Sequence, residues 1–207
     1  MNMEVIRNQT FSIVERLGYP INSNLPLLNK DMLPRDISDI VNRSLVLHAI
    51  VACSYGFDKS KAYIWIEQEG LQSYLSKAEF DFLKSKNREV QLFQSYVEDL
   101  YIFAWVLSFI ESISLTSECD ASLVSVFPNL KINESSAKYR NIAKLRPVEE
   151  LIGMLDIFYN IHWAITDMHL SGTKPINRIG NYVFIERRRA LEWVLSKVQW
   201  DEVSLDT

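Results

Sequence analysis

Glycine and proline are scarce, with six of each in 207 residues. Folds built from many short strands need a turn signal about every 8–12 residues. The scarcity therefore argues for long helices. A basic balance is also lacking. Lys and Arg number 22 against 26 Asp and Glu, a formal net charge of −4. A sequence-independent nucleic-acid binder needs the opposite sign, so no nucleic-acid partner is expected. There are only two cysteines, Cys53 and Cys119, far apart and beside apolar residues. They read as free, small buried hydrophobes, with no CxxC pair and no zinc spacing. The phosphate loops GxGxxG and GxxxxGK[ST] are missing, and so is GxSxG. No metal and no cofactor is expected.

The first residues, MNMEVIRNQTFSIVERLG, carry both signs of charge and lack the apolar run of a signal peptide. The most apolar stretch, Leu100 to Ile110, is bracketed by Glu98, Asp99 and Glu111. It falls well short of the ~20 residues that a membrane span requires. It reads as a buried core helix, and the expectation is a cytoplasmic chain with no membrane partner.

What is present is helical periodicity. Met3 to Leu17 reads as a first helix, stopped by Gly18 and Pro20. A second runs from Asp36 to Tyr55. Ile37, Ile40, Val41, Leu45, Leu47, His48, Ile50 and Val51 mostly fall on one broad face, and Gly56 closes it. Lys59 to Glu69 is a third. Ser76 and Glu79 form a capping box that opens a helix through about Ser85. Arg88 to Ser112 reads as one long central helix, with a stripe through Val90, Phe93, Val97, Leu100, Ala104 and Leu107. A short helix is predicted at Ala121 to Phe127, and a flexible surface loop at Asn129 to Lys138. Pro147 to Leu170 is the second long central helix, and Asn181 to Val198 the last. Tyr182 to Ile185 reads equally as a strand. The fold class is all-α, a single globular domain of two long apolar helices wrapped by shorter ones. An N-terminal subdomain over residues 1–86 is the alternative division.

On the 147–170 helix, Glu149, Asp156, Asn160, Trp163 and Asp167 share one stripe at 100° per residue. His162 and His169 sit on its apolar face, seven residues apart. That places them roughly 10 Å apart along the axis, too far for one ion. They read as core histidines. Glu98, Asp156 and Asp167 together could work as an acid and base pair, as separated carboxylate pKa values allow. The competing reading pairs these acids with Arg187, Arg188 or Arg189 in a structural network.

Three stretches carry a family resemblance. They are Glu98-Asp99-Leu100 with Trp105-Val106-Leu107, Asp156 to Ala164, and the C-terminal ERRRALEWVLSKVQWDEVSLDT. Together they span roughly residues 36 to 207. They resemble the bacterial domain-of-unknown-function family numbered 4272. The family pattern has Trp-Arg where this chain has Ser95-Tyr96, and Arg where it has Asn160. If those arginines formed an ancestral active site, this chain lacks it; if they formed core ion pairs, this chain rebuilds them. In the tail, a Trp among acids (Trp200, Asp201, Asp206) predicts that the segment packs against the body.

The expected function is a non-enzymatic, protein-binding one: an immunity protein that neutralises a bacterial toxin, a nuclease toxin being favoured because its nucleic-acid site is basic. The alternatives are a hydrolase-like enzyme using the carboxylates above, and a structural or scaffold protein. The acids expected at the partner surface are Glu67, Glu69, Glu79, Asp81, Glu118 and Asp120, all near turns, where binding residues concentrate.

Overall fold

Nine α-helices and several single 3-10 turns make up the computed structural model, which describes residues 2–84, 90–173 and 179–206. No strand occurs among the described residues, so the all-α expectation is met, and Tyr182 to Ile185 belongs to the last helix. The helices are α1 (Met3–Arg16), α2 (Ile37–Ser54), α3 (Lys59–Gln68), α4 (Lys77–Lys84), α5 (Val90–Ser95), α6 (Val97–Val106), α7 (Ala137–Ile142), α8 (Val148–Leu170) and α9 (Asn181–Val194). The expectations that fall on Ser85, Arg88 and Thr207 lie outside the described residues.

The chain divides into two compact units. The first unit gathers Met1–Arg35, Ser114–Glu118 and Arg146–Thr207. The second gathers Asp36–Ile113 and Cys119–Leu145.

The first unit is built on α8, which packs against α1 and α9. Leu151, Ile152, Leu155, Phe158, Ile161 and Ala164 are fully buried along it. Tyr19 and Phe184 meet edge to face at 5.8 Å, joining the chain after α1 to α9. Apolar burial of this kind contributes about 1.5–3 kcal/mol per large side chain. α1 stops where the sequence says it does. Gly18 takes φ +83° and the Tyr19 amide donates to Val14 O, closing a Schellman turn.

The second unit is built on α2, which packs against α3, α4, α5 and α6. Ile40, Leu45, Leu47 and Ile50 are fully buried on it. Among the described residues α2 is also the one helix long and apolar enough to cross a membrane, and 72% of that window is buried inside the fold.

The long helix expected at Arg88 to Ser112 is instead two short ones. The Ser95 hydroxyl donates to Leu92 O, competing with the helical ladder, and the chain turns at Tyr96. α6 then ends at Val106, because Ser108 adopts φ +60° and the Phe109 amide donates to Ala104 O. That is the same Schellman closure as at Gly18, made by a serine. The core expectation survives this change: Leu100 and Ile102 to Leu107 are all buried.

Two other boundaries differ. α9 ends at Val194 rather than Val198. Its last carbonyls, Trp193 O and Val194 O, accept from the Arg35 side chain and amide at 2.7 and 2.9 Å. The segment Asn129 to Lys138, expected to be a flexible loop, holds a 3-10 turn and the start of α7. Trp65 Nε1 donates to Glu134 O at 2.8 Å, and the Glu134 carboxylate accepts the Asn129 amide at 2.8 Å.

Candidate functional site

The six acids expected at a partner surface do not form one group. Glu79 is fully buried. Its carboxylate forms a fork with the Arg43 guanidinium, one arm at 2.8 Å, and also accepts the Ser76 amide at 2.9 Å. The capping box is present, as the sequence predicts, and the Glu79 amide donates to Ser76 Oγ. A buried carboxylate needs such partners because desolvation of a lone charge is costly. Glu79 is therefore a core residue and not a surface one. Glu69 is half-buried and accepts from Ser136. Asp81 is exposed and pairs with Lys77 one helical turn away. Asp120 is exposed and caps a 3-10 turn by accepting the Ser122 amide at 2.8 Å. That hydrogen bond lowers its pKa below the usual carboxylate value. Glu67 and Glu118 are exposed, and Glu118 belongs to the first unit while the other five belong to the second.

Ile64 lies one turn before Glu67 on the outward face of α3 and is 51% exposed. At its end, Gln68 accepts from the Asn133 side chain at 2.9 Å, which fixes that end of the helix against the segment before α7.

That segment shapes a concavity of the second unit. It is a half-open cleft of about 260 Å³. Phe109, Phe127 and Tyr139 form its aromatic wall, with Ser125, Ser135 and Lys138 contributing polar groups. The rings stack on one another. Tyr139 lies between Phe109 at 4.3 Å and Phe127 at 5.3 Å, and His48 covers the other side of Phe127 at 5.0 Å. The Tyr139 hydroxyl shares a hydrogen bond of 2.9 Å with Ser44 on α2, and burial raises its pKa. His48 is buried, its Nε2 is 2.9 Å from Pro128 O, and burial lowers its pKa to about 4. The imidazole is thus neutral, with Nε2 as the donor. Neither this stack nor the cleft is visible as a sequence motif, because its members come from four separate segments.

The carboxylates proposed as an acid and base pair have other occupations. Asp156 is fully buried, and both its oxygens accept from Arg7, at 2.8 to 3.2 Å. Arg7 also donates to Leu25 O and Pro26 O. The structural network expected for Asp156 is real, but its arginine comes from α1 rather than from α9. Asn160 donates to Asp156 O at 2.7 Å. Glu149 and Asp167 are exposed, so the stripe on α8 runs from solvent into the core and out again. Glu98, in the second unit, is buried and accepts the Cys119 amide at 2.9 Å.

Each of the α9 arginines makes contacts within the first unit. Arg187 is fully buried and donates to Ser114 O and Ser117 O. Arg188 contacts Glu192 at 3.2 Å and His162 Nδ1 at 2.8 Å, and donates to Leu205 O and Asp206 O. Burial and the Arg188 charge lower the His162 pKa to about 4. His169, expected in the core, is exposed beyond the apolar stripe near the end of α8. Arg189 pairs with Glu186 at 2.7 Å and lies over the Trp200 ring at 4.8 Å. Trp200 is buried and meets Trp193 edge to face at 5.8 Å, so the tail does pack against the body of its unit. Asp206 is held through its carbonyl; its carboxylate accepts from Ser204 instead of from a base.

Both cysteines are free, and burial pushes the Cys53 thiol up to about 12, which makes it a poor nucleophile. Among the described residues no three His, Cys, Asp or Glu side chains are grouped as a metal site.

The geometry thus defines an all-helical protein whose apolar cores each hold a buried arginine–carboxylate pair. The chain belongs to the family described as Domain of unknown function (DUF4272), which it matches over residues 7–203. Neither a curated protein nor a solved structure matches it.

Proposed function

We propose that this chain is a non-enzymatic, cytoplasmic protein-binding protein, an immunity protein that neutralises a bacterial toxin with a basic surface. The observation that supports this reading is the outward face of α3. There a half-exposed Ile64 stands one turn from the exposed Glu67, an apolar anchor beside an acid. Apolar anchors ringed by polar groups are the usual makeup of a protein interface. The chain's net charge of −4 suits a basic partner, since complementary fields speed encounter. The burial of Asp156 against Arg7 weighs against the hydrolase alternative, because a carboxylate sealed in a core ion pair is closed to a substrate.

The exposed acids of the second unit available for this role are Glu67, Asp81 and Asp120. Glu79 is excluded by burial, and Glu69 by its bond to Ser136. The test is co-expression with a toxin encoded beside the gene, followed by cell survival and association kinetics. Protection by the native chain, and slower association when Glu67 and Asp81 are changed to Lys, is the expected result. No protection and no binding removes the reading.

A further inference from the structure

We propose that the cleft of the second unit is a binding site for a small aromatic carboxylate. This rests on the cleft alone and is independent of the toxin-binding role.

Size comes first. An apolar cavity of about 150 Å³ is enough to hold benzene. A cleft of about 260 Å³ therefore holds one ring and a short polar substituent. It lies below the roughly 300–1,000 Å³ usual for larger ligands.

The wall selects an electron-rich partner. Tyr139 is sandwiched between Phe109 and Phe127, and Phe127 between Tyr139 and His48. Their faces are occupied by one another, so Tyr139 and Phe127 offer their edges to the cleft. Ring edges carry the positive part of the quadrupole and favour the face of another ring or an anion.

Charge points the same way. The chain is acidic as a whole, yet residues 121–145 hold Lys131, Lys138, Arg140 and Lys144 against the single acid Glu134. Lys138 lines the cleft, is exposed, and makes no ion pair among the described residues. Glu134 also lines it, but its carboxylate is folded back onto the Asn129 amide. The Ser125 and Ser135 hydroxyls complete the polar lining. A ring in the cleft with its carboxylate at Lys138 satisfies wall and charge together.

The experiment is a titration of the full-length ¹⁵N-labelled chain with benzoate, followed by amide shifts, with benzylamine as the matched cation. Benzoate is expected to give saturable shifts confined to residues 109, 125–127 and 134–142, and benzylamine none. Lys138→Glu, an exposed change, is expected to weaken benzoate binding about tenfold, the loss of one charge-assisted contact. Ile142→Trp, at a half-exposed lining position, is expected to fill the cleft and abolish the shifts. The spectra of both variants report their folding directly. The proposal is overturned if benzoate gives no saturable shifts, if benzylamine binds as well, or if Lys138→Glu leaves affinity unchanged.

Discussion

Arg7 and Asp156 stand 149 residues apart in sequence and meet as a buried fork, with Nη2 to Oδ1 at 2.8 Å. This pair ties α1 to α8, and neither partner is more than 4% exposed. Removing one member strands a buried charge. Arg7→Ala is therefore expected to cost about 3–5 kcal/mol, whereas Arg7→Met with Asp156→Leu recovers most of that loss. Urea unfolding of the single and double variants measures both. An Arg7→Ala cost under 1 kcal/mol would mean that water reaches Asp156.

Glu79 and Glu67 look alike in the sequence and differ in consequence. Glu79→Ala leaves the buried Arg43 without its carboxylate, at an expected cost of about 3–5 kcal/mol. Glu67→Lys, on the exposed face of α3, is expected to change stability by no more than about 0.5 kcal/mol. Thermal unfolding of the two variants side by side separates core from surface.

His48 makes the second unit sensitive to acid. Its pKa is about 4 in the fold and 6.5 as the reference, so the unfolded chain binds the proton first. Stability then falls as pH drops from about 6.5 to 4, by roughly 3 kcal/mol from this group, at 1.36 kcal/mol per unit. His162 acts in the same direction in the first unit. His48→Gln retains a donor for Pro128 O and is expected to flatten the slope across that window. Denaturant midpoints from pH 7 to 4, wild type against variant, provide the comparison. Parallel slopes would refute a buried neutral imidazole.

Trp200 and the tail carbonyls hold the C-terminal segment to α9. Deleting residues 199–207 removes the Trp193 contact and the two carbonyls that accept from Arg188, Leu205 O and Asp206 O. The melting temperature is expected to fall. Trp200→Ala alone should cost about 3–5 kcal/mol, the range for deleting a large buried aromatic. A melting temperature that stays put in both variants would show that the tail contributes nothing.

Helix positions were legible wherever the stop signal was local. Gly18 ends α1 as expected, because glycine is the ordinary residue for a left-handed C-terminal turn. The end of α6 was hidden because Ser108 does the same job, and a serine at φ +60° is uncommon. Ser95, which interrupts the helix before it, also looked like an ordinary polar position. Apolar burial followed periodicity, so the core residues of α2 and α8 were readable. Ion-pair partners were not. The sequence said that Asp156 needed a base, but only tertiary packing brings α1, not α9, to it. The surface acids failed at Glu79 for a related reason. The capping box placed its backbone contact correctly, while Arg43, 36 residues earlier, drew the side chain inward. The aromatic cleft had no local signal at all.

The first unit is assembled from three separated stretches of chain, residues 1–35, 114–118 and 146–207. During synthesis its opening helix emerges long before the helix it must pack on. At about 5–20 residues per second, Arg7 waits roughly 7–30 s for Asp156 to be added. Over that interval the apolar side of α1 lacks α8, while residues 36–145 already contain every stretch of the second unit. The order of emergence therefore favours a nascent chain whose middle folds first and whose two ends close last.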